Sequence, residues 1–274
     1  MTPQLRLTAG NVAAAFDPAD GGRLTSFTIG GRELLVQSGR DSYHWGSFVI
    51  APWVGRLRDG ILSYHGQEYP FPRNSGPHAV HGLVTDQPWT MVGKDTMEIE
   101  LNKAWPWPGR VRQQATLTEQ SCEFRIEVHA DEPMPIAVGW HPWFQRTLLG
   151  PDGTASAEIQ LNVRPCKMYA NDRSGLPSGE LIDPVDRPWD YCFIDLAAPP
   201  VVRWPGTLEL TVQSNCSHWV FYDQEEPGIC IEPWTAPPNS LNMPNPTIVT
   251  PNRPLTAAMT WTWREVSSPA VSGQ

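Results

Sequence analysis

Wherever the chain alternates regularly between apolar and polar positions, the period is two. Residues 123–130, EFRIEVHA, put Phe124, Ile126 and Val128 on one side and Glu123, Arg125, Glu127 and His129 on the other. A strand half-buried on a core has this pattern. Residues 255–266, LTAAMTWTWREV, repeat it, with Leu255, Ala257, Met259, Trp261 and Trp263 opposed to Thr256, Thr260, Thr262 and Arg264. TLELTVQ and MEIELN are shorter cases. In SFTIGGRELLV the Gly30-Gly31 pair supplies the positive φ angles of a two-residue hairpin turn between strand-like arms. No stretch of a dozen residues carries a 3.6-residue apolar stripe, and no internal repeat of fixed period occurs. The pattern predicts an all-β, antiparallel fold. Four stretches rich in Pro, Gly, Asn and Trp interrupt it, at 51–90, 131–153, 164–195 and 226–254. None has the composition of a flexible linker, so they read as ordered loops of one domain spanning 1–274, with a flexible tail over the last few residues.

Composition narrows the function. The chain has 274 residues, room for a sizeable core, and a net charge of -9 without a run of Lys or Arg. Nucleic acid is therefore not an expected partner. The first residues, MTPQLRLTAG, show no secretory signal, and the longest apolar run, FVIAPWV, is far shorter than a membrane span. Five cysteines, odd in number and never spaced as CxxC, fit reduced thiols in a cytoplasmic protein. The 29 prolines, about twice the usual share, argue against long helices.

Ionisable and aromatic residues concentrate in the four loops. In APWVGRLRDG, Arg56 is either a fork-shaped donor to hydroxyls or a salt-bridged surface arginine. His78 and His81 of PHAVHG could share a metal, but Pro77 and Gly82 frame them too tightly for a helical turn and no further ligand stands nearby, so no metal is assigned. In GWHPWFQR, His141 precedes a proline that restrains its backbone, and Trp140 and Trp143 flank it as core or as a platform for a flat ligand. Asp190 of RPWDYCF lies among aromatics, where its oxygens need donors: either a turn or a ligand's hydroxyls. Glu232 closes the apolar run of GICIEPW, where desolvation would raise its pKa toward that of a general base. No nucleophile elbow, P-loop or dinucleotide fingerprint is present, which leaves acid-base chemistry without a cofactor as the simplest enzyme class.

In this order the motifs resemble the aldose 1-epimerase (mutarotase) family, also called galactose-mutarotase-like, from GGRLTSFTIGGRELL to the closing TWTW. The resemblance implies a large antiparallel β-sandwich with its site in the concave face of one sheet. It further implies Arg56 of PWVGR as a sugar-binding arginine and His81 of HGLVTDQPW as a substrate contact, with His78 beside it. His141 of HPWF would be the general acid, Asp190 of WDYCF a hydroxyl-binding aspartate, and Glu232 of IEPWTAPPNSLN the general base. The chain departs from the family at Leu83, where glycine is usual, at Trp140, often a small polar residue, and at Trp143, where tyrosine is common. These departures shift recognition from hydroxyl contacts toward stacking, with Trp53, Trp140, Trp143 and Trp234 as candidate platforms.

The implied reaction is interconversion of the α and β anomers of a free or anionic hexose, with Glu232 ionised and His141 protonated. An epimerase for hexose 6-phosphates is the near alternative, with Arg56, Arg58, Arg73 and Arg146 as a phosphate pocket. A noncatalytic carbohydrate-binding β-sandwich and a cupin-like metalloenzyme using His78, His81 and a glutamate are rivals of other classes. The expected partner is a small sugar, with no membrane and no metal, for a monomer or homodimer.

Overall fold

The computed structural model of the protein describes residues 4–101 and 104–266; the tail expected at the C-terminus lies outside them. Two antiparallel sheets form a sandwich. The larger has eleven strands. Along its main path they run in space as Leu5–Ala9, Val12–Asp17, Arg23–Ile29, Ser47–Ile50, Gly139–Gln145, Gly228–Trp234, His218–Tyr222, Asp190–Leu196, Pro165–Asn171 and Pro177–Ile182, with Arg32–Glu33 folded back onto Arg23–Ile29. The smaller has eight strands and is centred on Gly109–Leu117, Ser121–Ala130 and Leu255–Glu265. No described helix is long and apolar enough to cross a membrane.

The alternating segments become strands as their pattern predicts. Cys122, Phe124, Ile126 and Val128 are buried along Ser121–Ala130, and Ala257, Met259 and Trp261 along the strand paired with it. The Gly-Gly hairpin is present, Gly30 and Gly31 taking φ of 56° and 74° while Ile29 pairs with Arg32. Between the sheets, Phe27, Phe124 and Phe144 pack tilted or edge-on around Trp261 at ring separations of 5.1, 4.8 and 5.0 Å. Such pairs add about 0.5–1.5 kcal/mol each to the area they bury.

The central strands of the larger sheet read differently. Gly228–Trp234 is buried at every position, and Gly139–Gln145 at all but its last. Alternate residues still face opposite ways, but both faces are covered, one by the smaller sheet and the other by the long loops. This explains why GICIEPW shows no polar face in the sequence.

Candidate active site

Strand register assembles the site. Gly139 pairs with Trp234 and Trp143 with Cys230, which sets His141 level with Glu232 on adjacent strands. On the other side of Gly228–Trp234, Val220 pairs with Glu232 and Tyr222 with Cys230; the next strand pairs Cys192 with Val220 and Asp190 with Tyr222. Side chains two apart on a strand share a face. His141, Trp143, Glu232, Trp234, Tyr222, Cys192 and Asp190 therefore point into one hollow of about 360 Å³, within the size range of small-ligand sites.

Loop 51–90 closes one side. It folds as a short ribbon in which Arg56 pairs with Val80, and the His81 N–H donates to the Gly55 carbonyl at 3.0 Å. His81 takes a left-handed backbone, φ 60°, an unfavourable state for a residue with a Cβ. Gly82 follows at φ 73°, where a Cβ would lie 1.9 Å from the Ala51 carbonyl oxygen. Only glycine fits there, which accounts for the His-Gly pair. Across the hollow, Arg56 Nη2 lies 3.5 Å from Asp190 Oδ2, both side chains about one-third exposed.

On the floor, His141 Nε2 lies 3.4 Å from Glu232 Oε2. The His141 imidazole is stacked between Phe48, 4.8 Å away, and Trp143, 5.7 Å away, and the His81 ring meets it edge-on at 4.9 Å. Aromatic neighbours on both sides hold the ring in one orientation. Burial pushes the Glu232 carboxyl well above its ordinary pKa, with Asp190 adding to the rise and Arg56 opposing it. Burial likewise drives His141 well below 6.5, helped by His81 and His44, and lowers His81 to about 3. The free site thus favours a neutral pair, with the proton on Glu232. The ionised glutamate and protonated histidine expected from the sequence hold the same number of protons, distributed the other way. Glu232 Oε2, His141 Nδ1, His81 Nδ1 and Trp234 Nε1 are buried without a hydrogen-bond partner in the protein. Such orphaned polar atoms are costly in a folded chain and suit a ligand rich in hydroxyls.

Not every residue singled out from the sequence reaches the hollow. His78 does not line it. Its Nδ1 accepts from the Asp59 N–H at 3.1 Å and its Nε2 donates to the Ser174 carbonyl at 3.3 Å, so it braces two loops behind the site. Trp53 packs on Phe71 and Trp105, and Trp140 is 1% exposed in the sandwich core. Trp143 and Trp234 border the hollow but are 2% and 3% exposed, and Trp143 stacks on His141 while donating Nε1–H to the Tyr43 carbonyl at 2.8 Å. They form walls and floor more than open stacking platforms. The four-arginine phosphate pocket is not assembled: Arg58 pairs with Asp172 at 2.6 Å, Arg73 with the Asp59 carbonyl, and Arg146 with Glu158 and Glu226. Of the four only Arg56 lines the hollow.

Sequence reasoning missed the mouth. Arg40, Asp41, Tyr43 and His44, from the loop before Ser47–Ile50, line it together with Tyr222. Arg40 pairs with Glu225 at 2.9 Å, and His44 bonds to Asp41 and packs on Trp143. Arg23, 0% exposed, holds this loop by donating to the carbonyls of Trp45 and Ser42 at 2.9 and 2.8 Å. Cys230, also missed, had a signal: it stands two residues before Glu232 on a strand.

Comparison with known proteins agrees with this fold. The uncharacterized protein YihR of Escherichia coli (strain K12) is 26% identical over 269 residues, covering 86% of this chain and 85% of that protein. A galactose mutarotase-like protein from Clostridium acetobutylicum superimposes with a TM-score of 0.81 at 16% identity, covering 95% of each chain. The galactose 1-epimerase of Lactobacillus acidophilus NCFM gives 0.75 at 14% identity, over 95% of this chain and 93% of its own. The family model for aldose 1-epimerase matches residues 3–257. With a site floor of paired imidazole and carboxylate on this sandwich, the chain belongs to the aldose 1-epimerase family.

Proposed function

We propose that the protein is an aldose 1-epimerase that interconverts the α and β anomers of a free hexose, neutral or carrying one anionic substituent, as a single catalytic domain in the cytoplasm. The observation that carries this reading is the 3.4 Å approach of His141 and Glu232 on the floor of a sugar-sized hollow, beside the Arg56–Asp190 pair.

Opening a pyranose ring requires a proton to leave the anomeric hydroxyl while another reaches the ring oxygen, and both oxygens are bound to one carbon. Glu232 takes the first proton and His141 supplies the second, starting from the tautomer with the proton on histidine. Hydroxyls of the sugar, and Arg56 drawn toward the carboxylate, supply the donors that favour this charged form over the neutral one of the free site. The open-chain aldehyde turns about its first carbon-carbon bond and closes on its other face, and the proton movements reverse. The pair ends with the proton count it began with.

Arg56 and Asp190 offer a donor fork and an acceptor to ring hydroxyls. The charged groups at the hollow tip to the negative side: Arg40 is already paired with Glu225 and Arg56 with Asp190, and Asp41 adds a further carboxylate. That excess disfavours a phosphate dianion, which needs several unpaired cations.

The test is the approach to equilibrium of freshly dissolved pure anomers, followed by polarimetry or NMR across neutral, acidic and 6-phosphorylated hexoses. Acceleration by the native chain is expected, reduced about 10²- to 10⁴-fold by Glu232→Gln or His141→Asn. Sugar binding without acceleration would instead indicate a noncatalytic lectin-like role. Near-normal rates in both variants would overturn the assignment of the pair.

A further inference from the structure

Beside His141 and Glu232 lies a third group that the proposed reaction does not use. Cys230 is 0% exposed and faces the same way as Glu232, two residues along the strand. A ligating atom from each of His141, Cys230 and Glu232 falls within 4.8 Å of the others. Two of the three residues also carry buried polar atoms without partners, Nδ1 of His141 and Oε2 of Glu232, at 6% and 2% residue exposure. Cys230 is reduced and bound to no other cysteine.

We propose that His141, Cys230 and Glu232 form a binding site for a borderline-soft divalent transition metal, zinc foremost, and that occupation of this site switches the epimerase off. One imidazole, one thiolate and one carboxylate are the ligand types zinc takes, and three protein ligands leave the fourth tetrahedral position open toward the hollow. Magnesium and calcium, which require oxygen donors, are excluded by the same set. Zinc bonds of about 2.0–2.3 Å place ligand atoms roughly 3.3–3.8 Å apart, so the cluster must contract by about 1 Å on binding. On binding, the thiol proton of Cys230 and the carboxyl proton of Glu232 leave to solvent, and the metal takes their place. Neither His141 nor Glu232 can then exchange a proton with a sugar. The trigger is the thiol, because the pair alone offers only two ligands.

The inhibitory half of this proposal rests on the epimerase reading, whereas the binding half does not. The experiment therefore measures zinc directly. Full-length protein is dialysed against zinc without sugar, with magnesium as control, and anomerisation is then followed with and without zinc and after EDTA. The native chain is expected to bind one zinc and no magnesium, to lose its activity in proportion to occupancy, and to regain it with EDTA. Cys230→Ser and Cys230→Ala, both checked by thermal melting, should keep anomerisation within about twofold and weaken zinc binding and inhibition by more than about tenfold, the scale on which even outer-sphere losses act. Unchanged zinc affinity in the Cys230 variant that remains folded would overturn the site, as would failure of the native chain to bind zinc. Zinc binding that depends on Cys230 in a chain that accelerates no anomer would keep the site and reject the epimerase reading and the switch.

Discussion

The strand pairing that sets imidazole and carboxylate side by side is packed around an indole wedged between two glycines, and this can be tested at a residue that touches no substrate. Trp234 follows Glu232 by two positions, and its paired residue, Gly139, precedes His141 by two. A Cβ on Gly139 would stand 2.3 Å from Trp234 Cδ1 and 2.7 Å from the Pro233 carbonyl oxygen. At the far end of the ring, Cζ3 lies 3.0 Å from where a Cβ on Gly55 would be. With ordinary contact beginning at 3.4 Å, Gly139→Ala must displace the indole or part the strands by about 1 Å, a shift with no free direction in a close-packed site. Overpacking of this kind costs about 1–3 kcal/mol of stability. A misplacement of about 1 Å at reacting groups costs on the order of 10²-fold in rate. We expect Gly139→Ala to fold with a lowered melting temperature and to lose about that factor in kcat/KM for anomerisation, measured by NMR exchange. Gly93→Ala, whose Cβ would meet Thr96 at an unstrained 3.4 Å, serves as the control. A Gly139→Ala protein that melts lower yet anomerises within about threefold of the native rate would refute the idea that this wedge sets the catalytic spacing.

Three further outcomes are expected. Because the Glu232 carboxyl is raised above its ordinary value of 4.5, its stabilising contribution is complete below that pH and is lost as pH rises through the folded-state pKa. Glu232→Gln should then gain melting temperature over the native chain progressively from pH 5 to pH 8, and a difference that stays constant or shrinks would contradict a desolvated carboxyl. Arg23→Met leaves the Asp20 carboxylate and the carbonyls of Ser42 and Trp45 without their shared donor; because Asp20 is 35% exposed the cost falls mainly on the two carbonyls, and a loss of about 2–4 kcal/mol in urea unfolding is expected, while under about 1 kcal/mol would show that the loop is held otherwise. Arg58→Ala, which breaks the contact with Asp172 behind the wall, should leave the ratio of rates on hexose and hexose 6-phosphate unchanged, while a selective fall for the phosphate would restore the arginine pocket.

The β class was legible where a strand has one face toward the core. Ser121–Ala130 and Leu255–Glu265 alternate in sequence because they alternate in burial. The strands bearing the chemistry carry no such signature, because loops cover their second face; His141 and Glu232 were found through motif resemblance, not periodicity. Side-chain direction in the loops was the hardest to read. Arg58 and His78 looked like ligand contacts, but their partners, Asp172 and Ser174, lie 114 and 96 residues away, and nothing local encodes them. Arg23 stayed hidden for the same reason, since an isolated arginine ordinarily points to water. Cys230, by contrast, follows from Glu232 once that strand is recognised.

His141 and Glu232 occupy level positions on neighbouring strands, so their spacing is inherited from the backbone hydrogen-bond ladder, whose repeat across strands is about 4.8 Å. A ladder is a ruler that exchanges of exposed side chains leave unstretched. Substitutions in the rim loops can change the entrance while the floor keeps one short interval between imidazole and carboxylate. On the proposed reading, such a scaffold changes its sugar more readily than its reaction.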